Sequence, residues 1–334
     1  MFSFAHHLEA ETENIQDKLG VTYILDKMDF ITYFTRPLKD RLRDNKIDLD
    51  FFGGVIQGFD NNIFLDPSRT KDAFLQTSVA GDLVYNYTRD IRFNINADIT
   101  NVLFYRFNDN NLLDLEMNPG IEIDFLDDYL TLESDYALNW SFFPFDEDGS
   151  FISNQFSFFL KNNVCGEFYH KGGFRLEYRN YTNRKTGGSN GVDTDELRRD
   201  ISHSCEYEAS IKILDFIRLK ENISFTRNDS NDQYFDYYDY LASRAKTSLT
   251  VMLTEKLYSI TSIAYTRKMY DDRLSTVHQT HQKDNLYIFN SSILYELTPT
   301  FTLAGGYSYR ENTSNEPNDK YSGGIWTIGL YYTF

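Results

Sequence analysis

Polar and apolar residues alternate along this chain over long stretches. In residues 91–107, IRFNINADITNVLFYRF, the apolar set Ile91, Phe93, Ile95, Ala97, Ile99, Leu103, Tyr105 and Phe107 falls on one face of an extended chain, with Asn101 the exception. Arg92, Asn94, Asn96, Asp98, Thr100 and Arg106 fall on the other. A period of two belongs to a β-strand and not to a helix. At about 3.3 Å per residue such a strand spans roughly 56 Å, about three times an ordinary globular strand.

The pattern recurs. In residues 129–143, Leu130, Leu132, Tyr136, Leu138, Trp140 and Phe142 alternate with Thr131, Glu133, Asp135, Asn139 and Ser141. In 112–125, Leu113, Leu115, Met117, Ile121, Ile123 and Phe125 alternate with Asp114, Glu116, Asn118, Glu122 and Asp124. Residues 72–87, 167–180, 216–227, 238–253 and 300–310 repeat it less cleanly. A chain built this way is an antiparallel all-β protein with one apolar and one wet side.

The breaks between strands are of two alternating kinds. Short ones fall near Thr88-Arg89-Asp90, Leu126-Asp127-Asp128, Lys161-Asn162-Asn163, Leu214-Asp215, Thr254-Glu255-Lys256 and Thr298-Pro299. Longer ones include residues 60–71, 145–150, 183–194, 228–237, 271–282 and 311–320, and only 108–111 (NDNN) is short where a long one belongs. The scheme predicts fourteen strands from about residue 46 to the end. In residues 1–45, Phe2, Phe4, His6, Leu8 and Ala10 alternate, and 19–35 offers a second strand, which would make sixteen. Ala5, Leu8, Thr12, Ile15 and Leu19 also fit helical spacing, so a plug or periplasmic segment stands as the alternative. A closed antiparallel barrel takes an even count, and sixteen is the reading adopted, with fourteen if residues 1–45 are not in the wall. Pro119, mid-strand on the apolar face, predicts a bulge.

Composition turns this pattern inside out. There are 25 Tyr and 28 Phe, yet the mean hydropathy is negative. So many aromatics without a large apolar core require an apolar exterior and a polar interior. That is the arrangement of a transmembrane antiparallel up-and-down β-barrel, with aromatic girdles at both interfaces. No run of eighteen apolar residues is present, which excludes a transmembrane helix. No linker divides the chain, so residues 1–334 read as a single barrel domain. The net charge of −17 argues against a nucleic-acid partner. The amino terminus lacks a basic and then apolar leader, and is read as that of a mature chain or of one that has lost its natural start.

Parity also sorts the charges. Asp114, Glu116, Glu122, Asp124, Glu133 and Asp135 point inward as an acidic wall. Lys171, Arg175, Arg179, Arg218, Lys220, Arg244 and Lys246 point inward as a basic wall. Two readings stand open: a transverse field that orients dipolar or zwitterionic solutes, or local neutralisation by Glu167, Glu177, Glu206 and Glu208. Cys165 takes the polar parity and Cys205 the apolar one, so no disulfide is expected. His203 takes the apolar parity while Ser202 and Ser204 take the other, which leaves no nucleophile and base in reach of each other. His278 and His281 read as solvated loop residues. Acidic stretches 146–150 and 228–240 lack the full calcium-loop pattern. No phosphate loop, dinucleotide fingerprint or zinc spacing occurs, so no cofactor, no metal and no enzyme activity are expected.

Two resemblances add to this. The ending TIGLYYTF, with Gly329, Tyr332 and Phe334, resembles the carboxy-terminal assembly signal of bacterial outer-membrane proteins. That resemblance implies a Gram-negative outer membrane, recognition by the barrel-assembly machinery, contact with outer-membrane lipid and lipopolysaccharide, and both termini in the periplasm. The stretch 53–85 carries a strand, a G-F-D-N-N loop at 58–62 and a second strand, and 117–125 reads MNPGIEIDF. Both are similar to the β-barrel porin 2 group and to polysaccharide-associated outer-membrane barrels. The expected function is a porin-like channel for passive or weakly selective diffusion of small hydrophilic solutes, with the 60–71 loop as constriction. The alternative is a structural or partner-binding barrel of a polysaccharide or electron-transfer export complex, its lumen occupied by a periplasmic or lumenal protein partner.

Overall fold

The computed structural model describes residues 46–126, 129–145, 147–165, 167–187, 193–232 and 238–333. Fourteen strands follow one another along the chain: β1 (Ile47–Asp60), β2 (Asp72–Asn86), β3 (Ile91–Phe104), β4 (Leu112–Phe125), β5 (Leu130–Phe142), β6 (Phe151–Cys165), β7 (Phe168–Gly187), β8 (Asp193–Leu214), β9 (Ile217–Ser230), β10 (Tyr240–Thr254), β11 (Leu257–Leu274), β12 (His281–Glu296), β13 (Phe301–Ser314) and β14 (Tyr321–Thr333). Each pairs antiparallel with its sequence neighbours, and β1 pairs with β14 from Phe52 opposite Thr333 to Asp60 opposite Ile325, closing the barrel. Closure leaves no unpaired edge, the condition a sheet must meet to cross a bilayer.

The wall therefore closes at fourteen strands, the count expected if residues 1–45 are not in it, and not at sixteen. Because β1 is bonded directly to β14, no gap remains for another pair, and the predicted strands of residues 1–45 lie outside the described residues. The expected bulge at Pro119 is also absent. Pro119 stays in register opposite Ile95, and the β4–β5 ladder resumes in the same register on either side of Asn118 and Pro119. The missing N–H simply drops out of one ladder.

Large apolar side chains such as Val79, Ile99, Ile263 and Ile328 stand exposed on the outer face. Aromatics band both ends of that face. Near the short turns Tyr85, Tyr87 and Phe93 pack together, as do Phe301 and Tyr332. Near the long loops Phe59 and Tyr307 flank Trp326, and Trp140 packs on Phe142. An apolar band between two aromatic girdles is the exterior of a membrane barrel. The β7–β8 hairpin, of 20 and 22 residues, is the longest and extends beyond that band at the loop end.

Both cysteines are free and exposed. The parity assigned to Cys165 fails because the β6–β7 register shifts after Asn163, which sets Cys165 opposite the outward Phe168. Cys205 lies outward, opposite Phe174 and Phe225.

Candidate functional site

The polar parity of each strand faces the interior, where the side chains enclose a cavity of about 870 Å³ open toward the loop end. On the β3–β5 side its wall is built of cross-strand rows. Thr100, Asp114 and Ser141 form one row, and Asp98, Glu116 and Asn139 the next. Below them lies the row Asn94, Gly120 and Asp135. Asp114 accepts hydrogen bonds from Asn139 and Ser141, and Asp98 from Thr100. Asp98 and Glu116 are directly opposite each other, a like-charge placement that costs stability.

The acidic wall has two tiers. Asp114, Glu116 and Asp135 line the cavity. Glu122, Asp124 and Glu133 lie beneath it toward the short turns, where cations meet them. Arg92 lies 2.7 Å from Glu122 and 2.8 Å from Asp124, and Glu133 lies 3.1 Å from Lys171 and 3.5 Å from Lys161.

The basic wall divides differently. Arg175 pairs with Glu206 at 2.9 Å, Arg179 with Glu177 at 2.9 Å and Lys220 with Glu208 at 3.1 Å. Arg244 and Lys246 on β10 line the cavity further round. Their register neighbours are neutral: Ser224 and Thr266 beside Arg244, Asn222 and Ala264 beside Lys246. Arg218, opposite Lys212 and Thr250, lies toward the short turns and does not line the cavity. Glu167 lies in the β6–β7 turn. Neutralised pairs thus run across β7–β9, while Asp114, Glu116 and Asp135 on β4–β5 and Arg244 and Lys246 on β10 line the cavity on nearly opposite sides.

Three features lie outside the two expected walls. Lys268 on β11 also lines the cavity, with Asp284 opposite it in register and its Nζ 4.1 Å from the Tyr240 ring centroid. Its parity alone would have found it, as would that of Asp98. At the short-turn end, Phe52, Ile56, Ala80, Tyr258, Leu294, Ala304 and Tyr331 fill the lumenal side of β1, β2 and β11–β14 with an apolar cluster. Inward apolar residues read as lapses in alternation, so nothing local marks them as one body.

The third is the loop between β1 and β2. It turns into the mouth, where Ile63 packs with the inward Phe74, Val102, Phe104 and Leu112, and Leu65 reaches the cavity. The G-F-D-N-N stretch holds it there. Asp60 accepts from Arg310 Nη2 at 2.6 Å and from the Asn62 amide at 2.8 Å. Arg310 also donates to the Asn62 carbonyl, and the Asn62 amide group donates to the Ser322 carbonyl. Gly58 makes the stem possible, because a Cβ there would sit 2.1 Å from the Phe74 ring. Gly58→Ala is expected to lower stability by about 1–3 kcal/mol through this overpacking. Urea unfolding in detergent micelles measures it, and an unchanged midpoint would contradict the packing argument.

His203 lies outward against Phe174, while Ser202 bonds Asn228 and Ser204 bonds Thr226 on the inner face. The wall separates them. Among the described residues no group of three His, Cys, Asp or Glu is arranged to hold a metal. The acidic stretches 146–150 and 228–240 fall partly outside the described residues. In the terminal segment Gly329 faces inward opposite Ile56 and Tyr332 faces outward, whereas Phe334 lies outside the described residues.

No family model matches the chain, and no curated protein matches it. Solved structures do. In-vitro folded OmpT, an outer membrane protein of Vibrio cholerae, superposes with a TM-score of 0.52 at 10% identity, covering 87% of this chain and 100% of that one. Outer-membrane expressed OmpT of the same organism gives 0.51 at 10% identity, covering 87% and 98%. The outer membrane channel DcaP of Acinetobacter baumannii gives 0.50 at 10% identity, covering 86% and 97%. At identities this low the likeness is one of fold alone, and the chain has the fold of outer-membrane β-barrels.

Proposed function

We infer that the chain is an outer-membrane channel through which small hydrophilic solutes diffuse, weakly selected by lumenal charge. The observation that carries this reading is the polar, charge-lined cavity inside a closed barrel whose outer face is apolar. Water and ions are favoured inside that lumen and lipid outside it. In this reading the short turns and both termini face the periplasm, the long loops face outward, and the 60–71 loop narrows the outer mouth. The likeness of residues 53–85 to the β-barrel porin 2 group agrees with it.

Carboxylates outnumber cations among the cavity-lining side chains. Purified protein in a planar bilayer is therefore expected to give stable ohmic steps with a preference for cations. That preference should fade between 0.1 M and 1 M salt, as the Debye length falls from about 10 Å to about 3 Å. A correctly folded barrel without conductance would sink the channel reading. It would favour a barrel that receives a partner.

A further inference from the structure

The outer face carries one side chain ill suited to hydrocarbon. Glu221 on β9 stands opposite Ala209 on β8 and Thr247 on β10. It shares its face with Ile217 and Leu219 toward the short turns and with the exposed Ile223 and Phe225 toward the loops, so it projects outward within the apolar band. Among the described residues, no other acidic or basic side chain of the outer face has two apolar outward neighbours on each side along its strand. Charged side chains on the lipid face of a barrel destabilise it most near the middle of the bilayer. The Glu221 carboxyl accepts one hydrogen bond, from Thr247 Oγ1 at 2.8 Å, of the about four its oxygens can take.

The polar surface continues over the next strands. Thr261 on β11 and Ser291 on β12 are opposite in register, their hydroxyls 3.2 Å apart, and both face outward with Ile263 and Ile293. By contrast, the outer face of β3–β5 presents Ile95, Ile99, Met117 and Leu138. Register also gives the depth of these groups. One row of partners runs from Ile211, beside a short turn, through Leu219, Thr261 and Ser291 to Trp326 in the loop-end girdle. Thr261 and Ser291 thus lie midway between the two ends. At a tilt of about 40° such a row climbs about 3 Å per strand, and two residues along a strand rise about 5 Å. Glu221, two residues above Leu219, therefore lies at nearly the depth of Thr261.

We propose that the outer face of β9–β12 is a contact between copies of this chain, in which Glu221 of one copy accepts hydrogen bonds from Thr261 and Ser291 of the next. Copies in one membrane share an orientation, so each side chain of the neighbour lies at the depth of its own equivalent. The donors that Glu221 lacks are then at its own level on the neighbouring molecule. Lipid tails offer no such donors, and in a bilayer polar contacts of this kind favour protein over lipid as the neighbour. Because carboxyl and hydroxyls lie on different strands, the contact is heterologous, the kind that builds rings. The assignment does not depend on whether the lumen conducts.

The test is thiol cross-linking of the full chain in the outer membranes of bacteria that express it. Cys165 and Cys205 are free and exposed, so the reporters are built on Cys165→Ser/Cys205→Ser. Ala245→Cys places a thiol on the outward face of β10, two residues from Thr247, and Ile99→Cys places one on the far side, on β3. A short bis-maleimide is expected to join Ala245→Cys chains into products of two or more copies, and to join Ile99→Cys chains about tenfold less. Adding Glu221→Leu should lower the Ala245→Cys yield about tenfold, and so should Thr261→Val/Ser291→Ala, which removes the donors and keeps the acid. These changes leave the lipid face more apolar, and an unchanged shift in gel mobility on heating confirms that each barrel is folded. Equal yields from the two cysteines, no product from either, or a yield untouched by Glu221→Leu would overturn the proposal. So would a product that mass spectrometry shows to contain a different protein.

Discussion

Asp60→Asn is expected to cost about 3–5 kcal/mol of stability and to raise single-channel conductance. Asp60 is fully buried and its partner Arg310 nearly so, and the two meet 250 residues apart in sequence. Removing the carboxylate leaves a guanidinium in a dry place, and breaking a buried pair from one side is far more damaging than removing both partners. The conductance should rise because the same pair holds the stem of the 61–71 loop, which the Asn62 bonds and the packing of Ile63 then carry into the mouth. The double variant Asp60→Asn/Arg310→Met separates the two effects. It should recover much of the stability, since no charge is stranded, and keep the wider conductance. Urea unfolding and bilayer recording decide it. A single variant as stable as the parent would mean that the pair is not buried in solution, and unchanged conductance would mean that the loop does not limit the current.

Neutralising the upper acidic tier has the largest electrostatic effect. In Asp98→Asn/Asp114→Asn/Glu116→Gln/Asp135→Asn, which adds Asp98, the register neighbour of Glu116, to the three cavity-lining residues of the tier, the lining keeps seven Lys and Arg side chains against six Asp and Glu. The permeability ratio of cation to anion at 0.1 M salt is expected to fall about tenfold and to pass over to anion preference, because a low-dielectric wall focuses the potential of the charges left behind. At 1 M salt the parent and the variant should converge. Stability should rise by a few tenths to about 1 kcal/mol, since Asp98 and Glu116 no longer oppose each other in register. Neutralising Glu122, Asp124 and Glu133 should alter selectivity far less, because Arg92, Lys161 and Lys171 already meet those charges. A selectivity unchanged in the upper-tier variant would place the ion path away from the β3–β5 wall.

The two tiers also mark how far reading the chain reaches. Parity sent Asp114 and Glu122 to the same side, and both are on the inner face. It could not tell that one lines the cavity while the other is neutralised, because depth and cross-barrel partners depend on where the sheet closes. The loop at 60–71 stood out by its length. Its latch did not, because Arg310 belongs to a strand near the other end of the chain. Cys165 shows the opposite failure, in which a single shifted register near a turn reversed a side chain that counting had placed.

By itself, the sequence determined the strand class, the inner and outer faces, and the alternation of short and long connections, because each follows from a period of two and from residues adjacent in the chain. Only the tertiary structure decided that fourteen strands close the wall, that Lys171 meets Glu133, that Asp60 meets Arg310, and that Phe52, Ile56 and Tyr331 fill one side of the lumen. These depend on which strand lies next to the first and which side chains face each other across the interior. Closure, register and stagger set those distances jointly, and no local pattern encodes them.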